Sequence, residues 1–421
     1  MNINDFKSER YLVNDECLAC GSNNLERILD FGKQPLANNY HDTTHELEEY
    51  PLNLNMCKDC YHLQLGEIVD PDLMFRDYLY VSGTTKTLRE YFEWFANWST
   101  EKLNMTNYHG VSVLDIACND GTQLDEYKKL GCKTYGIDPA INLFETSSSK
   151  GHEIVLDYFP SEALKDKKFD IIVAQNVFAH NLNPSDFLKA CKEIMNDDGL
   201  LFIQTSQANM VQNGEFDTIY HEHISFFNPM SMMKLVEMNR LQIHDIHYTE
   251  VHGTSYVFVI RNPSGDPVNQ GFIDVFQKTS KEGLFERETY IKYAERASQI
   301  LKDFSDTINK LRKEGYLIIG YGAAAKGNTL LNASNVSLDF IVDDNPLKQG
   351  MYTPGMNIPI FSPNQISDIT TDKIAFVPLA WNFYKEIRER ILSKRNNPND
   401  VFVSYFPDVS VMTIDNRTLE I

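Results

Sequence analysis

The run Val113-Leu114-Asp115-Ile116-Ala117-Cys118-Asn119-Asp120-Gly121 joins an apolar strand to a tight turn of small and acidic residues. Gly121 lets the backbone pass close to a ligand where a side chain would collide, and a helix is expected directly after it. Outward from this run the pattern repeats. KTYGID (133–138), FDIIVAQNV (169–177) and GLLFIQTS (199–206) read as further strands, with LREYFEWFANW (88–98) and SDFLKACKEIM (185–195) as helical stretches around them. Strand and helix in alternation predict a parallel, doubly wound α/β sheet. TSYVFVIRNP (254–263) closes the region as a β-rich segment. The chain then turns polar and helical. A second β/α series opens at YLIIGYG (316–322) and continues through LDFIVDD (338–344) and KIAFVPL (373–379).

The chain is 421 residues long, too long for one ordinary core, and its 42% hydrophobic content is ample for packed domains. A formal charge of −20 argues against a nucleic-acid partner, since a phosphate backbone would be repelled. No apolar run approaches a membrane span, and MNINDFKSER lacks the apolar core of a secretory leader, so a cytoplasmic protein is expected.

Cys17-x-x-Cys20 and Cys57-x-x-Cys60 offer two pairs of thiolates at the spacing a tetrahedral zinc requires. Sulfur fills all four positions and no activating base lies in the segment, so the expected zinc is structural. Cys118, Cys132 and Cys191 are scattered, as befits reduced thiols. Composition thus divides the chain into a zinc-binding module at residues 1–72, a nucleotide-binding α/β domain at 73–263 and a second Rossmann-like domain at 264–421.

The middle domain carries the logic of an adenosine pocket. The strand after the first ends at Gly136-Ile137-Asp138, which places a carboxylate to accept ribose hydroxyls. The turn lacks the G-x-G-x-x-G pyrophosphate fingerprint, which favours S-adenosylmethionine, whose sulfonium is tolerated beside Asp115. Ala117, Asn119 and Gly121 in the turn, with Gln175 at a later strand end, complete the expected cofactor contacts. Asp157, where the third strand should end, is placed to accept from the adenine amine.

The densest chemistry is Phe216-Asp217-Thr218-Ile219-Tyr220-His221-Glu222-His223-Ile224-Ser225-Phe226-Phe227. Two histidines, a glutamate and a tyrosine among aromatics suit proton transfer in a partly dry site. The helical H-E-x-x-H spacing of zinc proteases is absent. On a regular strand His221 and His223 face one side, and Tyr220 and Glu222 the other. All four reach one substrate only if the segment is a loop. Asn176 and His180 fall just past the fourth strand, at the rim where open α/β sheets bind ligands. Upstream, Asp77-Tyr78-Leu79-Tyr80-Val81-Ser82-Gly83 brings two tyrosines and a serine into the linker before the first large helix.

Together these residues resemble the nucleotide-sugar C-methyltransferases of deoxysugar biosynthesis. The resemblance covers nearly the whole chain. It rests on the four paired cysteines with PLANNY, on EYPLNLNMCKDC, on DTIYHEHISFF, and on YGAAAKGNTLL with VDDNPLKQGMYTPG. It implies a zinc-binding segment, an S-adenosylmethionine domain and a C-terminal Rossmann-like domain. Carried over by position, it makes His223 the general base, with Tyr220 and Glu222 beside it. Asn176, His180 and Ser82 would line the sugar pocket, and Tyr78 or Tyr80 would reach the reacting carbon. The implied substrate is a nucleotide-diphosphate-linked 4-keto-deoxysugar, with C3 the expected carbon; a parallel sheet this well covered could stand as a monomer. The family's His-Gly-Gly-Ser turn stands here as His252-Gly253-Thr254-Ser255, and its following Arg is replaced by Tyr256-Val257-Phe258.

Gly320-Tyr321-Gly322-Ala323-Ala324-Ala325, with Asp343 about twenty residues on, approximates a dinucleotide fingerprint. The resemblance implies instead that this domain holds the sugar's nucleotide diphosphate, through Lys326, Asn328 and Lys348. An NAD-linked oxidoreductase built on the C-terminal fold and a non-catalytic nucleotide-sugar-binding protein are the competing readings.

Overall fold

The structure, a computed structural model, describes residue 6 and residues 9–75, 86–265 and 267–419, with His252 described by its backbone alone. Tyr78, Tyr80 and Ser82 lie outside the described residues. Contacts divide the chain into two interleaved units. One takes Met1–Glu26, Asn55–Ala208 and Glu222–Arg287; the other takes Arg27–Leu54, Asn209–His221 and Glu288–Ile421. The division cuts through the cysteine segment. Its cysteines belong to the first unit, and the stretch containing PLANNY belongs to the second.

At the N-terminus β1 (Tyr11–Val13) pairs with β5 (Glu67–Val69). Two long strands, β2 (Leu25–Pro35) and β3 (Glu49–Cys57), carry the chain into the second unit and back. The short β4 (Leu63–Leu65) and the one-turn α1 (Asp72–Phe75) complete this segment.

The first unit is built on a seven-stranded sheet. Its parallel part comprises β6 (Ser112–Ile116), β7 (Lys133–Asp138), β8 (Glu153–Leu156), β9 (Phe169–Gln175) and β10 (Met195–Ser206). The hairpin of β12 (Gln242–Thr249) and β13 (Ser255–Arg261) completes it in the order β12-β13-β10-β9-β6-β7-β8. β13 runs antiparallel to both neighbours. The sheet winds from β6 to β8 in one direction and restarts at β9 on the other side of β6. That reversal opens a crevice at the carboxyl ends of β6 and β9, where such sheets bind ligands.

Both faces of this sheet are covered. α2 (Lys86–Glu101) buries Leu88, Tyr91, Phe92, Phe95, Ala96 and Ser99, the three- and four-residue spacing of one helical stripe. With Tyr127 of α3 (Thr122–Lys129) it packs on Ile171, Val173 and Phe202. α4 (Ile141–Ser149) connects β7 to β8. On the other core, α5 (Pro184–Ile194) and α7 (Pro229–Met238) bury Phe187, Leu188, Met232 and Leu235. Each of these two helices starts with proline at its first position behind an asparagine cap, Asn183 and Asn228. Cys17, Cys57 and Cys60 join this same core. α8 (Gln270–Lys281) lies against β12.

The second unit has its own seven-stranded sheet, ordered β16-β15-β14-β17-β18-β19-β20. Four parallel pairings join β14 (Leu317–Tyr321), β15 (Phe340–Val342), β16 (Ile360–Phe361), β17 (Ile374–Pro378) and β18 (Val401–Ser404). β19 (Ser410–Thr413) and β20 (Thr418–Leu419) add antiparallel strands. α6 (Met210–Asn213), the long α9 (Arg287–Lys313), α10 (Ala325–Ser334) and α11 (Tyr384–Lys394) are its helices. Among the described residues no helix is long and apolar enough to cross a membrane.

Candidate active site

The four paired cysteines converge, with all four sulfurs within 4.8 Å of one another. Cys17 and Cys60 stand 3.6 Å apart at sulfur, as do Cys20 and Cys57. Zinc–sulfur bonds of about 2.3 Å in a tetrahedron demand sulfurs about 3.8 Å apart, whereas a disulfide brings them to about 2.05 Å. The spacing fits zinc. The two knuckles are folded alike. The amide of Cys17 donates to the Ser22 carbonyl and that of Cys57 to the His62 carbonyl, each at 2.8 Å. Gly21 and Tyr61 donate back to Cys17 and Cys57, also at 2.8 Å, with φ of 73° and 58°. The ligands are buried or half-buried and sulfur closes the coordination sphere, the signature of a structural site.

At the carboxyl ends of the first unit's parallel strands, the backbone is repeatedly forced into the left-handed region. Ala117 has φ 60°, Asn119 51° and Gly121 75° after β6; Asn176 has 53° after β9, and Gln207 70° after β10. Non-glycine residues there carry strain of roughly 1–3 kcal/mol each, and such residues cluster at ligand sites. Gly121 has a packing reason as well, since a Cβ on it would lie 3.2 Å from His152 Cδ2.

Three carboxylates share this turn, and Asp115, Asp120 and Asp138 are each buried. Asp138 accepts from the amides of Asn119 and Ala140, both at 2.8 Å. Burial pushes its carboxyl up, while those two amides pull it back. Asp115 is pushed well above the usual carboxylate range by burial, reinforced by the charges of Asp138 and Asp120. Carboxyl groups crowded and desolvated in this way suit a ligand that brings hydroxyl donors and a positive charge to favour their ionised forms, which a ribose and a sulfonium supply together. Asp157 is differently placed. It is exposed, and its carboxylate accepts from Ser161 Oγ at 2.6 Å and the Tyr158 amide at 2.9 Å.

Beneath the rim lies a layer of glutamines of which the sequence singled out Gln175 alone. Gln175 donates to Gln123 Oε1 at 2.9 Å, and Gln123 donates to the Phe92 carbonyl at 3.2 Å. Gln204, level with Gln175 in the β9–β10 register, accepts from the Tyr91 hydroxyl at 2.9 Å. Gln175 Oε1 and Asn176 Oδ1 are buried acceptors without a hydrogen-bond partner among the described residues. Two orphan acceptors side by side at a topological switch point are rare in a finished core.

Residues 215–224 form turns rather than a strand. In the first unit Glu222 and His223 are buried, and His223 Nδ1 lies 3.4 Å from the Gln207 amide nitrogen. The His180 ring stands 5.1 Å from that of His223 and stacks on Phe75 at 5.6 Å. Burial pushes the His180 imidazole down to about 4, so it is neutral at working pH. In the second unit Tyr220 is half-buried, and His221 is occupied elsewhere, with Nε2 3.3 Å from the Tyr50 carbonyl.

The C-terminal candidates are held within the second unit. Asn328 is buried, donating to the Ala37 carbonyl at 2.7 Å and to the Tyr40 hydroxyl at 3.1 Å. Lys348 Nζ donates to the Ala323 carbonyl at 2.6 Å and lies 4.7 Å over the Tyr40 ring. Lys326, at the first turn of α10, has its ammonium 5.0 Å over Trp381 with no hydrogen-bond partner among the described residues. Tyr256, Val257 and Phe258 are buried in β13, a setting that would leave the arginine of the resembled family without water.

Three family models match the chain in series. A zinc binding domain covers residues 17–75, a methyltransferase domain 80–245, and a C-methyltransferase C-terminal domain 250–407. C-methyltransferase NovU of Streptomyces niveus is 28% identical over 386 residues, which are 89% of this chain and 91% of that protein. A ubiquinone biosynthesis O-methyltransferase of Bradyrhizobium diazoefficiens is 28% identical over 164 residues, 35% of this chain and 62% of its own. Among solved structures, magnesium protoporphyrin IX methyltransferase from Synechocystis PCC 6803 with bound SAM matches 42% of this chain and 79% of its own. Its TM-score is 0.32 at 13% identity, too low to argue from.

Proposed function

Since the chain belongs to the S-adenosylmethionine-dependent C-methyltransferases, with a zinc-binding segment before the catalytic domain and a C-terminal domain after it, we propose that it methylates carbon in a nucleotide-diphosphate-linked 4-keto-deoxysugar, at C3. The observation that carries this reading is the pair of orphan acceptors, Gln175 Oε1 and Asn176 Oδ1, on the rim that also holds buried His223. A polyhydroxylated ligand brings the donors these atoms lack.

S-adenosylmethionine supplies an electrophilic methyl on a sulfonium. Asp115, Ala117, Asn119, Gly121 and Asp138 are the residues that would hold it, with Gln175 at the edge. Asp157 keeps its place in this set only for an adenine amine that competes with Ser161 for its carboxylate. The sugar's 4-keto group acidifies the C3 hydrogen. His223 would remove that proton, the C3–H electron pair becoming the enolate, and the enolate carbon would take the methyl as the methyl–sulfur bond breaks and its electron pair leaves with S-adenosylhomocysteine. Gln207 has a role in this step. With its amide oxygen turned to accept from Nδ1–H, it fixes the tautomer whose Nε2 lone pair takes the proton. A positioned base contributes about 10²–10⁴-fold, and each donor to the enolate oxygen adds roughly 3–4 kcal/mol. Tyr220 and one of Tyr78 and Tyr80 are the proposed donors, with Glu222 beside the base. Neutral His180 serves as wall and hydrogen-bond partner rather than as a cation. Asn176 and Ser82 contact the sugar, and Lys326 is the C-terminal residue retained for the diphosphate.

Incubation with a 4-keto sugar nucleotide in deuterated buffer tests the reading. Deuterium wash-in without the donor, and a mass gain of one methylene with it, are the expected results. His223→Asn abolishes both while calorimetry still detects donor binding. Near-normal turnover in that variant removes His223 from the mechanism.

A further inference from the structure

The zinc ligands and the His223 segment are joined by an unbroken set of contacts inside the first unit. Tyr61 follows Cys60 directly and closes the second knuckle with its left-handed backbone. Its carbonyl accepts from Asn228 Nδ2 at 2.6 Å. The next residue, His62, is fully buried, with Nε2 3.2 Å from Ser225 Oγ and its ring 4.5 Å from that of Phe227. β4 then pairs with β11 (Ser225–Phe226), Leu63 opposite Phe226 and Gln64 opposite Ser225. Leu65 donates its amide to the Ile224 carbonyl at 2.9 Å. The first knuckle is tied to the same strand, because Gln64 accepts from the Leu18 amide and donates to the Glu16 carbonyl, both at 2.8 Å. On its far side Ile224 donates to the Ala179 carbonyl at 2.8 Å, beside His180.

Segment 224–228 is thus held from two sides, by the metal segment through β4, His62 and Tyr61, and by the core through Ala179 and the Phe178 ring, which stands 4.9 Å from that of Phe227. We propose that Asn228 and His62 are positioning residues through which the metal-filled second knuckle fixes the seat of His223. The cysteine centre then does more than hold the N-terminal segment together. Coupling of this kind is reciprocal, so whatever loosens segment 224–228 also loosens the metal. The inference rests on the proposed function only in naming His223 as the group being seated.

Asn228 offers a discriminating substitution. Its Oδ1 caps α7 by accepting from the Ser231 amide at 2.9 Å, while its Nδ2 serves Tyr61. Asn228→Asp keeps a helix cap of the same class, removes the donor to the knuckle and sets a carboxylate oxygen against the Tyr61 carbonyl in its place. The variant is expected to purify with the same zinc content as the parent and to surrender it to a chromogenic chelator about 3- to 10-fold faster, the loss of one hydrogen bond. Its kcat falls by a similar factor, with the KM for S-adenosylmethionine unchanged. In parallel, amide hydrogen exchange is followed by mass spectrometry as the parent is stripped with chelator. Exchange in residues 222–228 is expected to rise together with that in 57–65, while β7 stays protected. A rise confined to 57–65, or zinc release from Asn228→Asp at the parental rate, overturns the proposal. Should stripping unfold the whole chain, zinc release from Asn228→Asp decides alone. A failure of His223 as the base leaves both readouts intact, so the two claims fall separately.

Discussion

Asp217 is expected to make the protein less stable as an aspartate than as an asparagine at neutral pH. The residue is fully buried in the second unit. Its Oδ2 accepts from Trp381 Nε1 at 2.8 Å and from the Tyr405 hydroxyl at 3.3 Å, while Oδ1 has no hydrogen-bond partner among the described residues. Burial pushes its carboxyl up to about 6; the Lys326 charge pulls the other way, and Glu215 adds to the rise. A carboxyl raised from 3.8 to about 6 binds its proton more tightly in the fold than in the unfolded chain. The folded state gains from that proton below the unfolded value and loses the gain as pH rises through about 6. Above that pH the ionised fold bears a penalty of about 3 kcal/mol.

Asp217→Asn removes the charge and keeps an oxygen for Trp381 and Tyr405. Its new Nδ2 inherits the unpartnered position, at a cost of about 1–2 kcal/mol. The net expectation at pH 8 is a gain of about 1–2 kcal/mol, a midpoint a few degrees higher on thermal unfolding. At pH 4, where the parental carboxyl is already protonated in the fold, the gain vanishes or reverses. Melting curves of parent and variant across that range, followed by calorimetry, measure the difference directly, since all other groups titrate alike in both. A variant less stable than the parent at pH 8, by more than at pH 4, refutes the reasoning. It would mean that the pairing of Asp217 with Lys326 outweighs desolvation.

Two further outcomes follow from the first unit. A Cβ at Gly136 would lie 2.5 Å from Cys118 Sγ and 2.8 Å from Ile154 Cδ1, so Gly136→Ala must displace the turn after β6; S-adenosylmethionine affinity by calorimetry is expected to fall at least about tenfold, and unchanged binding would separate Cys118 from the donor site. Asp138→Asn leaves one of the Asn119 and Ala140 amides facing the new side-chain nitrogen, and is expected to lower the melting midpoint and to weaken donor binding by about 10- to 100-fold, an unaltered affinity telling against Asp138 as the ribose acceptor.

Much of the first unit was legible because its signals are local. The strands ending at Ile116 and Gln175 are largely apolar runs, as doubly covered strands must be. The paired cysteines declare themselves by spacing. β12 was not read as a strand, because QIHDIHYT carries two histidines and an aspartate at the sheet edge, where polarity is permitted and the alternation is lost. The glutamine layer was equally silent. Gln123, Gln204 and Gln207 are typical surface residues in composition, and only the fold shows two of them bonded beneath the rim and the third against His223. Least legible was the path of residues 27–54. Tyr40 donates to the Ala323 carbonyl, 283 positions away, and no local pattern foretells a contact so distant in sequence.

That same contact bears on the dinucleotide reading of the C-terminal sheet. A pyrophosphate needs open backbone amides at the turn after β14, and a ribose needs the carboxylate at the end of β15. Here Asp343 already accepts from the Ala323 amide at 2.6 Å and the Asn345 amide at 2.7 Å. The Ala323 carbonyl accepts from Tyr40 and Lys348, each at 2.6 Å, and the Lys348 ammonium covers the Tyr40 ring. The glycines have other reasons to be there. A Cβ on Gly320 would stand 2.8 Å from Ile341, on Gly322 3.1 Å from Ala380, and on Gly327 2.7 Å from Leu379. Small residues that let strand, turn and helix pack closely produce the same spacing as a cofactor fingerprint. In this unit the Ala323 amide is spent on Asp343 and its carbonyl on Tyr40 and Lys348, so a pyrophosphate at this turn would have to displace those groups.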